Sequence, residues 1–282
     1  MFESLTVLAP GLLGGSVAKA ARSRGLARRI AVWSRRMETR AALRTAGWCD
    51  AVFETAAEAA HGSELVVICA PVDQIVPLVA SIRPALSPGC VVTDVGSVKS
   101  AICRQSHAAL AGAEACFVGA HPMAGSERTG HEHADAELFR GRPCFVTPLA
   151  DTAPASIDRT VAFWRALDAR VVTESPERHD EIVAHISHLP HALASSLCSL
   201  LSRRDPRWRD LAGNGLRDST RIAASDADLW LSIFEQNREE VLRAISAFED
   251  EVSCFRAALA NSDRLALRSL LERGRSFRHS LR

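Results

Sequence analysis

The sequence predicts an α/β fold in two parts, a doubly wound parallel sheet followed by an all-helical domain. Three observations carry this. Short, largely apolar runs recur, bounded by Gly or Pro, as in Leu5–Ala9, Leu65–Cys69 and Cys90–Val95. Most are separated by a segment long enough for a helix, the rhythm of parallel strands buried on both faces. After Pro176 that rhythm stops, and Leu, Ala and Arg continue at helical spacing to the end.

In order, Leu5–Ala9 reads as a buried strand, followed by a glycine turn and a helix that stops near Gly25. Ile30–Trp33 is the second strand, and a helix follows from Met37 to Gly47. Leu65–Cys69 is the next strand, stopped by Pro71, then Cys90–Val95 and Cys116–Ala120. Two more strands are expected at Cys144–Thr147 and Arg170–Thr173, with Asp151–Leu167 as the helix between them. The run HISHLPHALASSLCSLL is apolar around most of its circumference, which predicts a helix buried within the chain or against another subunit. The expected domains are residues 1–174 and residues 175–282.

Composition narrows the function. A net charge of +1 implies no polyelectrolyte partner, and the basic C-terminal stretch reads as a solvated helix end. The eight cysteines are scattered without a C-x-x-C pair, so neither a disulfide frame nor a zinc site is expected. No positive charge precedes the N-terminal apolar run, which Pro10 and glycines interrupt, so it is not a secretion signal. A cytoplasmic protein, bound neither to membrane nor to nucleic acid, is expected. Lysine occurs only at Lys19 and Lys99.

The opening turn reads Ala9-Pro10-Gly11-Leu12-Leu13-Gly14. A dinucleotide fingerprint is G-x-G-x-x-G between a strand and a helix. Gly11 stands where the backbone approaches a pyrophosphate, and Gly14 where the helix packs closely on the sheet. Ala9 replaces the first glycine, which is tolerable where its φ is negative. The following helix end offers N–H groups to a diphosphate, the Rossmann-type arrangement. Gly11, Leu12, Leu13 and Gly14 are therefore candidate cofactor residues, with Ala70 and Pro71 at the end of the Leu65–Cys69 strand. The second strand ends in Ser34-Arg35-Arg36, without the acid that holds an NAD ribose. Two guanidinium groups suit a 2′-phosphate, so NADP is favoured, with NAD the alternative.

Further polar stretches stand out. Asp94–Lys99 lies at a strand's carboxyl end, where Ser97 either caps a helix or faces a nicotinamide. His121 directly follows the next strand in HPMAGSE, which ends in Ser126-Glu127. His131 and His133 raise a metal site, for which no third ligand is close, and none is expected. His188 and His191 are three residues apart on a helix, and Arg221 follows a polar break and could clamp a carboxylate.

These motifs, GLLGGS, DVGSVK, HPMAGSE, SHLPH and RDSTRIA, in this order and spacing, resemble those of prephenate and arogenate dehydrogenases. The resemblance spans about residues 5 to 240. It implies an NAD(P)-dependent oxidative decarboxylation of prephenate to 4-hydroxyphenylpyruvate in tyrosine biosynthesis, by a homodimer paired through the helical domain. His121 would accept the hydrogen bond, and finally the proton, of the ring hydroxyl. Ser97 would align that hydroxyl with the nicotinamide. Arg221 would bind a substrate carboxylate, and Ser126, Glu127, His188, His191 and Trp230 would line the substrate site. His191 favours prephenate over arogenate, because some arogenate-specific relatives lose it. Neither a regulatory ACT domain nor a chorismate mutase domain is expected. A β-hydroxyacid dehydrogenase is disfavoured, because no lysine follows Lys99 to serve the catalytic role such enzymes place in their helical half. The reading from another class is a non-catalytic NADP-sensing regulator.

Overall fold

A computed structural model describes residues 2–125, 128 and 130–281. Eight strands form one sheet: β1 Phe2–Leu8, β2 Ala27–Trp33, β3 Ala51–Val52, β4 Leu65–Ile68, β5 Val91–Asp94, β6 Cys116–Pro122, β7 Pro143–Thr147 and β8 Arg170–Thr173. Their spatial order is β3-β2-β1-β4-β5-β6-β7-β8. Helices α1 Leu12–Ser23, α2 Met37–Leu43, α3 Ala56–Ala60, α4 Val72–Ile82, α5 Ser100–Ala109, α6 Pro154–Ala166 and α7 Pro176–Val183 belong to the same part of the chain. The order reverses between β1 and β4, which places a ligand crevice at their carboxyl ends.

Both faces of the sheet are covered because the strand residues alternate between two apolar clusters. Leu5, Val7, Leu65 and Val67 pack on one face with Val17 of α1 and Trp164 of α6. Leu8, Val66, Ile68 and Val92 pack on the other with Ile75 and Val79 of α4 and Ile102 of α5. A strand enclosed on both faces is accordingly apolar, as in Leu65–Ile68, whereas β2 carries exposed Arg28 and Arg29 near its start.

One expectation is corrected. The sheet is parallel except at β6 and β7, which run antiparallel with His121 opposite Phe145. Among the described residues of the 123–142 connection there is no α-helix, and the chain returns beside β6 in the opposite sense. Strand β3, two residues long, was not expected, and Gly47 lies beyond α2.

The chain packs as two units. The first holds the residues up to Val183 together with Ile222–Asn237, and the second holds Ala184–Arg221 with Arg238–Arg282. A single division between residues 174 and 175 is simpler than this arrangement. His179, Asp180 and Val183 of α7 are buried in the first unit. Ile233 joins its apolar cluster, and Asn237 Nδ2 donates to the Asp180 carbonyl at 2.9 Å.

In the second unit, a π-helical turn at Ala184–His188 precedes α8 Leu189–Ser202 and α9 Asn214–Thr220. Helix α10, Ala227–Gln236, belongs to the first unit, while α11 Arg238–Ala260 and α12 Arg264–Ser280 return to the second. The expected buried helix is not buried within the chain: in α8 only Ala194 is, and Leu200 is exposed. Phe248, Val252, Phe255 and Leu259 form an exposed apolar stripe on α11 at helical spacing. Among the described residues, no helix is long and apolar enough to cross a membrane. All eight cysteines are free.

Strand β6 passes close beneath α5 at Gly119. A Cβ there would sit 2.5 Å from Cys103 Sγ and 2.6 Å from Thr147 Oγ1. Gly119→Ala is expected to destabilise the protein by about 1–3 kcal/mol through overpacking, read as a lowered urea midpoint. An unchanged midpoint would show that β6 and α5 have room to separate.

Candidate active site

The opening turn fits a dinucleotide, with one surprise. Ala9 has a φ of 59°, so it occupies the left-handed conformation natural to the glycine it replaces, contrary to the expected negative φ. The turn is held by Ala9 N–H to the Trp33 carbonyl at 2.7 Å and Gly11 N–H to the Ala9 carbonyl at 2.9 Å. A Cβ on Gly11 would meet nothing within 4 Å, which leaves the approach to the backbone open. A Cβ on Gly14 would lie 2.9 Å from Cys69 Cβ and 3.1 Å from Val7 Cγ1, so this position admits close helix–strand packing only. No side chain caps α1, and no acidic residue lies in its first turn, so an anion meets no competitor there. Leu12 and Leu13 begin that helix, half-buried.

At the end of β2, Ser34 is buried, and Arg35 and Arg36 are exposed. Arg40 donates to the carbonyls of Ser34 and Arg35 at 2.8 and 3.0 Å and pairs with Glu54. Arg44 pairs with the same carboxylate. Glu54 is thus matched by arginines other than Arg35 and Arg36. Beyond β4, Ala70 is buried and Pro71 is exposed at the start of α4.

The polar centre of the first unit lies at the carboxyl ends of β5 and β6. His121 is buried within β6 rather than in a following loop. Its Nδ1 is 2.9 Å from His179 Nε2, and His179 Nδ1 is 2.8 Å from Asp180 Oδ1. The Asp180 carboxylate also accepts the Lys99 and Ser100 N–H groups, each at 2.8 Å. It therefore caps α5 from a distant part of the sequence, and Ser97, half-buried, is not the cap. Burial works against ionisation of Asp180, but hydrogen bonds from His179, Ser100 and Lys99 hold its pKa below the usual carboxylate value. Burial lowers the pKa of His179 and outweighs the pull of Asp180.

Beside this chain lies a wholly buried ion pair, Lys99 with Asp94. Lys99 Nζ also donates to the Ala120 carbonyl at 3.0 Å, and Asp94 Oδ1 accepts the Ala120 N–H at 3.1 Å. The residue before His121 is therefore pinned through both backbone groups.

Sequence reasoning passed over His179, Asp180 and the pairing of Lys99. A signal was present: Pro176, His179, Asp180 and Val183 form one buried helix face, and two of those positions are polar. Buried polar groups of this kind need partners.

The other expected residues fall as follows. Trp230 is half-buried on α10, tilted against Phe234 at 5.4 Å between ring centroids. In the second unit, His188 is buried in the π turn, His191 is half-buried on α8, and Arg221 is exposed. Burial lowers the His191 pKa to about 4. Ser126 and Glu127 lie outside the described residues. His131 lies 3.5 Å from Glu132, and among the described residues no group of three or more His, Cys, Asp or Glu is arranged to hold a metal ion.

Residues 17–173 match the family of the prephenate dehydrogenase nucleotide-binding domain, and residues 175–273 match its dimerization domain. This chain belongs to the prephenate dehydrogenase family. Among its relatives is a cyclohexadienyl dehydrogenase of Zymomonas mobilis, 30% identical over 93% of this chain and 90% of that protein. A prephenate dehydrogenase of Bacillus subtilis is 27% identical over 100% of this chain and 76% of its own length. The crystal structure of prephenate dehydrogenase from Aquifex aeolicus with hydroxyphenyl propionate and NAD+ superposes with a TM-score of 0.93 at 27% identity, covering 100% of this chain and 99% of that one. Synechocystis arogenate dehydrogenase superposes at 0.86 with 26% identity, covering 98% and 99%. The first unit of this family member is accordingly a domain for a nicotinamide dinucleotide.

Ala9→Gly should relieve the left-handed strain and stabilise the protein by about 1 kcal/mol. Differential scanning calorimetry should show a midpoint higher by a few degrees; a lower midpoint would mean that the alanine is at ease there.

Proposed function

We infer that this protein is a prephenate dehydrogenase, an oxidoreductase that converts prephenate to 4-hydroxyphenylpyruvate with loss of CO2. The observation that carries the reading is the buried His121, anchored at the carboxyl end of β6 within a domain built for a nicotinamide dinucleotide. When bound, the oxidised nicotinamide takes the hydride released from the ring carbon that bears the hydroxyl. His121 receives the hydrogen bond of that hydroxyl and draws its proton away, which raises electron density on the oxygen and helps expel the hydride. The C–CO2 bond electrons enter the ring as CO2 departs, and the ring becomes aromatic. Ser97 holds the hydroxyl in register, so that positioning lowers the barrier. Arg221 is assigned to a substrate carboxylate, as a bidentate donor. His188, His191, Ser126, Glu127 and Trp230 are assigned to substrate binding. His191, neutral above a pKa of about 4, suits hydrogen bonding to a keto acid side chain without adding charge.

Gly11, Leu12, Leu13 and Gly14 would hold the pyrophosphate, with Ala70 and Pro71 beside it. Ser34, Arg35 and Arg36 would hold a 2′-phosphate, since both guanidinium groups are exposed and the nearby Glu54 is already paired. NADP is therefore the preferred cofactor. The exposed stripe on α11 and the match to a dimerization domain support a homodimer through the second unit. Arogenate, or a broad cyclohexadienyl specificity, is the second substrate reading, favoured by the likeness to the Synechocystis arogenate dehydrogenase and the Zymomonas cyclohexadienyl dehydrogenase.

The test is reduced-nicotinamide absorbance with prephenate or arogenate and either cofactor. Turnover with prephenate and NADP is expected; none in any combination would overturn the reading. His121→Asn should lower kcat by about 100-fold or more while the cofactor Kd, from fluorescence titration, stays within about twofold. Equal loss of both would remove His121 from the chemistry. Replacing Arg35 and Arg36 together by Ala should raise KM for NADP about tenfold or more and leave KM for NAD nearly unchanged. Equal effects on both cofactors would reject the 2′-phosphate role.

A further inference from the structure

The proton positions along the chain His121–His179–Asp180 follow from counting donors and acceptors. Asp180 is a carboxylate that accepts three hydrogen bonds: Lys99 N–H and His179 Nδ1 at Oδ1, and Ser100 N–H at Oδ2, all at 2.8 Å. A carboxylate has no proton to give, so the hydrogen between it and His179 sits on Nδ1 of the imidazole. His179 is fully buried beside the Lys99 ammonium, and burial keeps it neutral, with its single ring proton already placed. Its Nε2 is then an acceptor. His121 Nδ1, 2.9 Å away, must carry the hydrogen of that bond. A neutral His121 is left with an unprotonated Nε2.

Packing holds this arrangement from several sides. The His179 ring stands edge-on to Phe145 of β7 at 5.0 Å between centroids and to His121 at 5.1 Å. Its neighbour Asp180 is fastened to the first turn of α5, where the helix end favours a negative charge. The backbone at Ala120 is clamped by Asp94 and Lys99. Backbone, ring plane and tautomer are thus fixed by separate contacts. Such outer contacts on a reactive histidine tune its basicity as well as its direction.

On the dehydrogenase reading above, we infer that His179, backed by Asp180, is a positioning residue that holds the Nδ1 proton of His121 and so commits Nε2 to the hydroxyl proton of the substrate. Once Nε2 takes that proton, His121 is a cation whose Nδ1–H points at a neutral imidazole joined to a carboxylate. The new charge is stabilised without any group moving. Among the described residues, the titratable and charged groups on the packed elements include His179 and Asp180 of α7, Lys99 before α5, Asp94 of β5, Cys103 of α5 and Cys144 of β7. Both thiols are pushed up by burial, Cys103 to about 12, and stay neutral across the working range.

The test separates positioning from turnover. In the free protein labelled with 15N-histidine, long-range proton–nitrogen spectra, assigned with His121→Asn, should show His121 protonated at Nδ1 and bare at Nε2. The opposite tautomer in the wild type would overturn the inference whatever the enzyme does. His179→Leu, which removes the acceptor, should lower kcat by about 10–100-fold with the NADP Kd within about twofold. It should also shift the acidic limb of the kcat–pH profile. His179→Gln, which restores an acceptor oxygen, should recover much of the loss and the pH profile. Full activity with an unshifted profile in the Leu variant would sink the inference. If the Leu variant does not fold, the wild-type spectrum and the Gln profile decide: a Gln profile no different from the wild type supports the acceptor role, and one displaced with low kcat opposes it. The expected tautomer without turnover on any substrate would support the positioning and reject the dehydrogenase reading.

Discussion

The architecture around His121 depends on one buried ion pair. Asp94 and Lys99 are wholly enclosed, and enclosing two charges is costly unless their remaining hydrogen-bonding capacity is met. Here it is turned on the backbone: the Gly96 and Ala120 N–H groups reach Asp94, and the Ala120 carbonyl reaches Lys99. The β5–β6 ladder ends at Thr93 and Val118, and beyond it side chains take over the pairing. The strand can therefore leave the ladder and still deliver His121 in a fixed direction. A hydrophobic pair of the same volume would fill the space but could not grip Ala120 at both polar groups.

Much of this fold was legible because strands buried on two sides have little compositional freedom. Leu65–Ile68 admits only apolar residues, and its stop at Pro71 is chemical punctuation. The direction of β7 was not legible, since it depends on a connection with no α-helix among its described residues, which leaves no periodic signature. Two-residue β3 is too short for any pattern. Of the site, the glycine turn and His121 could be read from residues beside strand ends. The partners of His121 could not, because Asp180 meets the Lys99 N–H across 81 positions of sequence. In α7 the sequence PERHDEIV resembles an ordinary polar helix start, and only the enclosure of His179 and Asp180 reveals otherwise.

The turn at Ala9 shows how local rules yield to context. An alanine in left-handed geometry is uncommon, yet the Ala9 N–H bond to the Trp33 carbonyl holds it there, against the extended backbone that the following Pro10 favours. The shape glycine would provide freely is imposed on alanine by its surroundings. The dinucleotide turn is therefore conserved in form where its residue has changed, and the opening above Gly11 remains.

The first unit is assembled from two separated stretches of chain, with α10 and Asn237 completing what α7 begins. During synthesis the sheet can form long before residue 237 leaves the ribosome, but Ile233 cannot yet fill its place in the apolar cluster, nor Asn237 cover the Asp180 carbonyl. The nascent nucleotide domain must wait, incompletely sealed, while the intervening helices emerge. Maturation of the region around Asp180 is thereby linked to synthesis of Ile233 and Asn237, so a chain that stops before them would carry the sheet without its last buttress.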